Sequence, residues 1–190
     1  MVFVKNFDSL YTAQPSKVEL TVTISTNLVY LHSMRRASAL KAYKYRIYPT
    51  DAQVVFFAKT FGCCRFVWNK MLDKKLNAYK KKERIPGVTP AQYKKEFPFL
   101  KEVDCFALVA VQNHIENAFR NHFKNRKQFK LPKFKKKRDK KSYTTYNAHN
   151  SIRVDFEKSL IYLPKIREGI RIELHRTFYN SIKNDGKIHK

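Results

Sequence analysis

The hydrophobic period of this chain changes twice, from two to between three and four and back to two, and that ordering restricts it to a mixed fold with helices set between strands. Ala42 to Tyr48 alternates, with Tyr43, Tyr45 and Ile47 on one face and Lys44, Arg46 and Tyr48 on the other, as in a half-buried strand. Pro49 stops it. Thr50-Asp51-Ala52-Gln53 then has the spacing of a capping box, in which the Thr and Gln side chains satisfy free N–H groups at a helix start. Behind it Val54, Phe57, Phe61, Cys64, Trp68, Met71 and Leu76 recur at spacings of three to five, predicting one amphipathic helix to about Tyr79. Gly62 weakens the middle of that helix by about 1 kcal/mol relative to alanine, a hint of close packing against another backbone.

Lys80 to Gly87 reads as a charged turn closed by Pro86-Gly87. Thr89-Pro90-Ala91-Gln92 repeats the capping pattern with proline at the first helical position and predicts a short helix ending before Pro98. Asp104 can cap a third helix with a stripe of Leu108, Val111, Ile115, Ala118, Phe119, His122 and Phe123; at some 24 residues it would be about 36 Å long. Between Arg120 and Lys141 stand twelve Lys or Arg opposed only by Asp139, interrupted by Phe129, Leu131, Pro132 and Phe134. Pro132 and the charge density predict a partly extended, mobile segment. From Tyr143 the period is two again: Tyr143 to Tyr146, Ile152 to Phe156, Leu160 to Leu163 and Ile170 to Leu174 read as strands, with Lys158-Ser159 where a hairpin turns. The expected fold is α+β, a small barrel or sheet with a helical insertion after its first strand.

Lys and Arg total 40 against 15 Asp and Glu, a formal charge of +25 and a pI near 10.1. Such a surface repels itself unless a polyanion neutralises it, so nucleic acid is the expected partner. A membrane is not, because no run of about 18 uncharged apolar residues occurs and the basic residues are not gathered on one amphipathic helix. Residues 1–33 hold Lys5 and Lys17 against Asp8 and Glu19 and so carry none of the charge. Met34, followed by Arg35, Arg36 and Lys41, could be the biological start, with 1–33 an over-extended reading frame. The alternation of Val18, Leu20, Val22 and Ile24 fits a β-rich arm equally well. Cys63, Cys64 and Cys105 make neither a disulfide framework nor a zinc site, which needs about four ligands, and suit a reducing cytosol. The start of the chain has no basic region leading into an apolar core, so no secretory signal is expected.

Cations with interleaved aromatics are what single-stranded or A-form nucleic acid binding uses, the cations holding the backbone while rings stack on bases. On the first predicted helix Arg65, Asn69 and Lys70 lie near one face beside Trp68. Asn and Arg read adenine and guanine edges bidentately, and they could equally bond each other or phosphates. Tyr45, Tyr48 and Trp68 fit core or wall positions better than stacking platforms. His114 and His122 are too far apart for a metal pair four residues apart, and His122 lies on the apolar stripe. His175 at a basic strand end suits a phosphate contact. No P-loop occurs, and Asp155, Glu157, Glu168, Glu173 and Asp185 stand singly among basic residues, whereas two-metal phosphodiester cleavage needs convergent carboxylates. No catalytic residue, metal site or cofactor is expected in these residues.

Tyr45-Arg46-Ile47-Tyr48-Pro49-Thr50 with Gln53, followed by Phe61-Gly62-Cys63-Cys64-Arg65-Phe66-Val67-Trp68-Asn69, resembles the opening of the TnpB (OrfB) proteins of bacterial insertion sequences, relatives of the miniature type V CRISPR effectors. Three later segments follow in the family's order: Ala118-Phe119-Arg120-Asn121-His122-Phe123; Leu131 to Lys137 with Ser142-Tyr143; and Leu163-Pro164-Lys165-Ile166 with Ile170-Arg171-Ile172 and Leu174-His175-Arg176. The resemblance implies a wedge-like β-barrel whose first strand (34–49) is separated from the remaining strands (142–177) by a helical recognition insertion and basic linker (50–141), after an extension (1–33) and before a tail (178–190). It implies a protein of the bacterial or archaeal cytosol, associated with the nucleoid and with DNA transposition. Its partners would be a transposon-derived guide RNA and DNA, with base pairing supplying most sequence specificity. By motif, Arg65, Asn69 and Lys70 fall on the recognition helix and Lys133, Lys135, Lys136, Lys137, Arg138 and Lys141 on the nucleic-acid channel. Lys44, Arg46, Arg120, Lys124, Arg126, His175 and Arg176 complete the candidate contacts. In relatives the segment resembling Leu163 to Arg176 leads into a RuvC-like nuclease domain with three catalytic carboxylates and a four-cysteine zinc ribbon. Neither is found in these residues, so cleavage is not expected of them. Two other classes make different predictions: an RNA-independent, helix-turn-helix-like DNA-binding module or repressor, with a defined half-site spacing, and a basic scaffold protein of the ribosomal type.

Overall fold

A computed structural model describes residues 2–6, 20–27 and 40–174, with side chains from Lys44 onward. His175, Arg176 and the tail lie outside the described residues. The chain divides into two compact units, one reaching Gln53 and resuming at Asn147, the other Val54–Tyr146. The architecture is α+β.

In the first unit β1 (Val2–Asn6), β2 (Leu20–Asn27) and β3 (Leu40–Tyr48) are followed, after the interruption, by β5 (Arg153–Asp155), β6 (Leu160–Tyr162) and β7 (Ile170–Ile172). They lie in the order β1-β2-β3-β7-β6-β5, antiparallel throughout. In the described part of residues 1–33, β2 pairs with β3 from Leu20↔Ile47 to Asn27↔Leu40. The alternation in β3 is observed, Tyr45 and Ile47 being buried and Lys44, Arg46 and Tyr48 exposed. Tyr48 leaves the core because its hydroxyl donates to Glu173 Oε2 at 2.8 Å, a bond that is made at the solvent edge.

Among the described strands the sheet does not close into the expected barrel. β5 pairs with β6 alone, and β5, β6 and β7 have three residues each, too few to carry the tilt and stagger that closure requires. The sheet is open. The hairpin turns at Lys158-Ser159 as expected, with Asp155↔Leu160 in register and Ser159 at φ 52°. Gly169 packs closely: a Cβ there would lie 3.0–3.1 Å from Leu160 and Tyr162 atoms.

The second unit is built on α1 (Asp51–Lys80), whose first turn belongs to the first unit. Half of the capping box is seen, Thr50 N–H donating to Gln53 Oε1 at 3.0 Å. The helix ends in a Schellman motif, with Lys82 N–H donating to Tyr79 O, Glu83 N–H to Ala78 O, and Lys82 in the left-handed region at φ 58°. α2 (Pro90–Glu96) starts at Pro90 without a side-chain bond from Thr89, so the second capping pattern supplies only its proline. A short 3-10 turn, Pro98–Lys101, leads to α3 (Cys105–Lys124), where Asp104 caps by accepting from Phe106 N–H at 3.1 Å. At 20 residues α3 is a turn shorter than expected, because the chain leaves helical geometry at Asn125 (φ −149°). Phe57, Met71, Leu72, Leu100, Leu108 and Ile115 form the buried centre. β4 (Ser142–Thr145) belongs to this unit too: Thr145 Oγ1 donates to the other oxygen of Asp104, and Tyr143 packs its ring 5.8 Å from Phe61. Gly62 is not a close-packing glycine, since a Cβ there would meet nothing within 4 Å.

Candidate nucleic-acid interface

The charged run after α3 is irregular and partly extended, as expected, and part of it is tied to α1. Trp68, buried on α1, donates from Nε1 to Lys133 O at 2.9 Å. The next residue, Asn69, uses both ends of its carboxamide on one partner: Oδ1 accepts from Lys135 N–H at 2.8 Å and Nδ2 donates to Lys135 O at 3.0 Å. Lys135 then lays its ammonium 4.2 Å from the centre of the Trp68 ring, a cation–π contact. Further back, His122 Nδ1–H donates to Phe129 O at 2.8 Å. Asp139, the one acid of the run, accepts from Lys136 N–H at 2.7 Å and closes a tight turn.

These contacts consume backbone groups and leave cations exposed. Lys133, Lys136, Lys137 and Arg138 are all exposed, and Lys141 is half-buried. Lys135 keeps exposed surface, but desolvation of its ammonium end lowers its pKa, with Cys64 and Asp139 pulling the other way. His114 is lowered by desolvation first and then by the charge of Lys135. Upstream, Arg120 bonds Asn117 at 2.9 Å, Arg126 sits 5.8 Å from the Phe123 ring centre, and Lys124 is exposed.

The three residues singled out on α1 have different fates. Asn69 is taken up by Lys135. Lys70 stands over Phe66 and Phe97 at 5.8 and 5.3 Å. Arg65, half-buried, makes no hydrogen bond or ion pair with a described residue. Lys44 and Arg46 lie on the exposed face of β3 in the other unit. Sequence reasoning placed Trp68 and His122 as structural residues but missed what they hold; an indole and an imidazole on an apolar stripe each need a polar partner, and that was the available signal. It also missed Lys75, buried on α1 with its ammonium donating to Pro86 O at 3.2 Å.

Among the described residues no three His, Cys, Asp or Glu gather to hold a metal ion, and no helix is long and apolar enough to cross a membrane. A held basic strand on a helical frame is a surface of the nucleic-acid-binding class. The comparisons narrow the class. Residues 34–84, which hold β3, α1 and its closing turn, match the helix-turn-helix domain model of OrfB insertion-sequence proteins. Two similar proteins have names reading "Putative RNA-guided DNA endonuclease": one from Streptomyces pristinaespiralis, 34% identical over 56% of this chain and 28% of its own length, and InsQ of Escherichia coli (strain K12), 27% identical over 67% and 32%. Virulence protein VsdF of Salmonella dublin is 32% identical over 53% of this chain and 97% of its own length. The chain belongs to the TnpB (OrfB) family of insertion-sequence proteins. Its match spans about a third of the two endonuclease-named relatives.

Proposed function

We propose that these residues are the nucleic-acid-gripping portion of a TnpB-type protein, holding a transposon-derived guide RNA and helping to engage DNA. The observation that carries the reading is the docked segment 133–138: its backbone is tied to α1 while Lys133, Lys136, Lys137 and Arg138 stay exposed. Ordered cations along a fixed strand can follow a phosphate backbone with less loss of conformational freedom than a loose tail would incur. Arg65 and the lysines of the run are the proposed phosphate or base contacts, and Asn69 acts by positioning Lys135. His175 and Arg176 remain proposed contacts by motif. We found no metal-ligand cluster among the described residues on which to base cleavage, so the proposal concerns binding.

The name of the matched domain favours a second reading, in which the chain grips duplex DNA without RNA. Affinity of the full chain for RNA from the transposon end, for scrambled RNA and for duplex DNA, at two salt concentrations, separates them. RNA-selective binding that survives added salt supports the guide-binding reading. Preference for duplex DNA supports the second. Equal affinity for all polyanions, collapsing steeply with salt as counterion release dictates, refutes both.

A further inference from the structure

Four phenylalanines of the second unit are exposed: Phe99 and Phe123 at 43% and 41%, Phe129 and Phe134 at 41% and 48%. The first two have ring partners. Phe99 packs edge-on to Phe66 at 5.3 Å, and Phe123 lies 5.8 Å from Tyr79 and 6.2 Å from Phe119. Neither Phe129 nor Phe134, the pair within the basic run, has a ring contact with any described aromatic. Phe134 is also the residue whose flanks are held hardest. Trp68 fixes the carbonyl before it, and Asn69 fixes both the N–H and the carbonyl of the residue after it, at 2.8–3.0 Å. Lys135 turns its ammonium onto Trp68, so that indole is already engaged, and of the two exposed rings of the run Phe134 is the one that the contacts with α1 hold on both sides.

Burying an aromatic ring stabilises a fold, yet this one is kept out of the core by three hydrogen bonds between its neighbours and one helix. The neighbours Lys133, Lys135, Lys136 and Lys137 make an apolar protein partner a poor match and an anionic strand a good one. Aromatic rings set among backbone-binding cations are the arrangement that stacks nucleobases. We propose that Phe134 is a stacking platform for an unpaired nucleobase, held open by the clip that Trp68 and Asn69 make on the basic strand. The inference rests on the nucleic-acid reading above and adds to it the requirement for an unpaired base.

The test uses the full chain with single-stranded RNA and DNA carrying 2-aminopurine, and with a blunt duplex, comparing the parent protein with Phe134→Ala, Phe134→Trp and the pair Lys137→Ala/Arg138→Ala. The parent should quench 2-aminopurine on binding. Phe134→Ala should abolish the quench and weaken single-strand binding by about tenfold while leaving duplex binding and the salt slope unchanged. Phe134→Trp should restore both. The lysine–arginine pair should lower the salt slope on every substrate. The RNA and DNA arms identify which strand supplies the base. Unchanged quench and affinity in Phe134→Ala, or an equal loss on duplex, overturns the platform while the nucleic-acid reading stands. A parent protein that binds no nucleic acid overturns both.

Discussion

The face of α1 around Trp68, Asn69 and Lys70 and the basic segment that lies along it solve opposite problems. On α1 it is side chains that are taken up: Asn69 by Lys135, Trp68 by Lys133, Lys70 by two phenylalanine rings. On the segment it is the backbone that is taken up, and Lys133, Lys136, Lys137 and Arg138 keep exposed side chains. A helix has no backbone donors to spare in its middle, so it can hold another strand only through side chains. An irregular strand has unpaired N–H and C=O groups that need partners, so docking it leaves its side chains for other uses. The lesson is that the residue types suited to reading bases need not be the ones that face a ligand.

The strongest way to break this comparison is to remove the indole. Trp68→Ala deletes a buried aromatic and leaves Lys133 O without its donor, so the expected loss is about 3–5 kcal/mol in denaturant unfolding. Trp68→Phe keeps most of the packing and should lose about 1 kcal/mol. Equal, small effects of the two would mean that the segment does not depend on α1.

Next in size is a pH effect at a buried thiol one turn before Trp68 on the same helix. Burial raises the Cys64 thiol from 9.0 to about 12, and raises Tyr143 as well. A raised folded-state pKa means that stability is complete below the unfolded value and is lost as pH climbs toward the folded one. Unfolding free energy should therefore be flat up to about pH 8 and, from Cys64 alone, fall by about 2–3 kcal/mol by pH 11, with Tyr143 adding to the fall. Cys64→Ala should flatten part of that fall. Under native conditions alkylation should reach the exposed Cys105 long before Cys64.

Much of this frame was legible because it is local. The stripe from Val54 to Leu76, the Thr50–Gln53 cap, Asp104 at the start of α3 and the Lys158-Ser159 turn each depend on residues a few positions apart. The clip was not legible, because Asn69 and Lys135 are 66 residues apart and a sequence pattern does not show which carbonyl an amide will find. Asn69 offered a base-reading carboxamide to the eye; the fold gave it a peptide group of the same hydrogen-bonding pattern. The barrel failed for a related reason, since three-residue strands show alternation but not how far their pairing extends.

Asn69→Ala comes third, with an expected cost of about 1–2 kcal/mol for two hydrogen bonds at a half-exposed site. Hydrogen exchange should locate the effect, with the Lys135 amide losing protection and the centre of α3 keeping it. If single-strand affinity falls by more than the stability change explains while Lys135 stays protected, Asn69 touches the ligand and the assignment of side chains to structural work on α1 is wrong.

The smallest change is the most discriminating. Gly62 lies on α1 three residues before Arg65 and seven before Asn69, spacings that place the three along one side of a helix. A Cβ at Gly62 meets nothing within 4 Å, so Gly62→Ala should stabilise the protein by about 1 kcal/mol through helix propensity alone, read as a rise in the denaturation midpoint. In the uncomplexed protein nothing opposes the gain. If a phosphate backbone comes close to this side of α1, where Arg65 has no hydrogen-bond or ion-pair partner among the described residues, the added methyl will weaken nucleic-acid binding while strengthening the fold. Opposite signs in the two measurements would make α1 part of the contact surface beside the basic strand. A gain in stability with unchanged affinity would leave α1 as the frame and the strand as the hand.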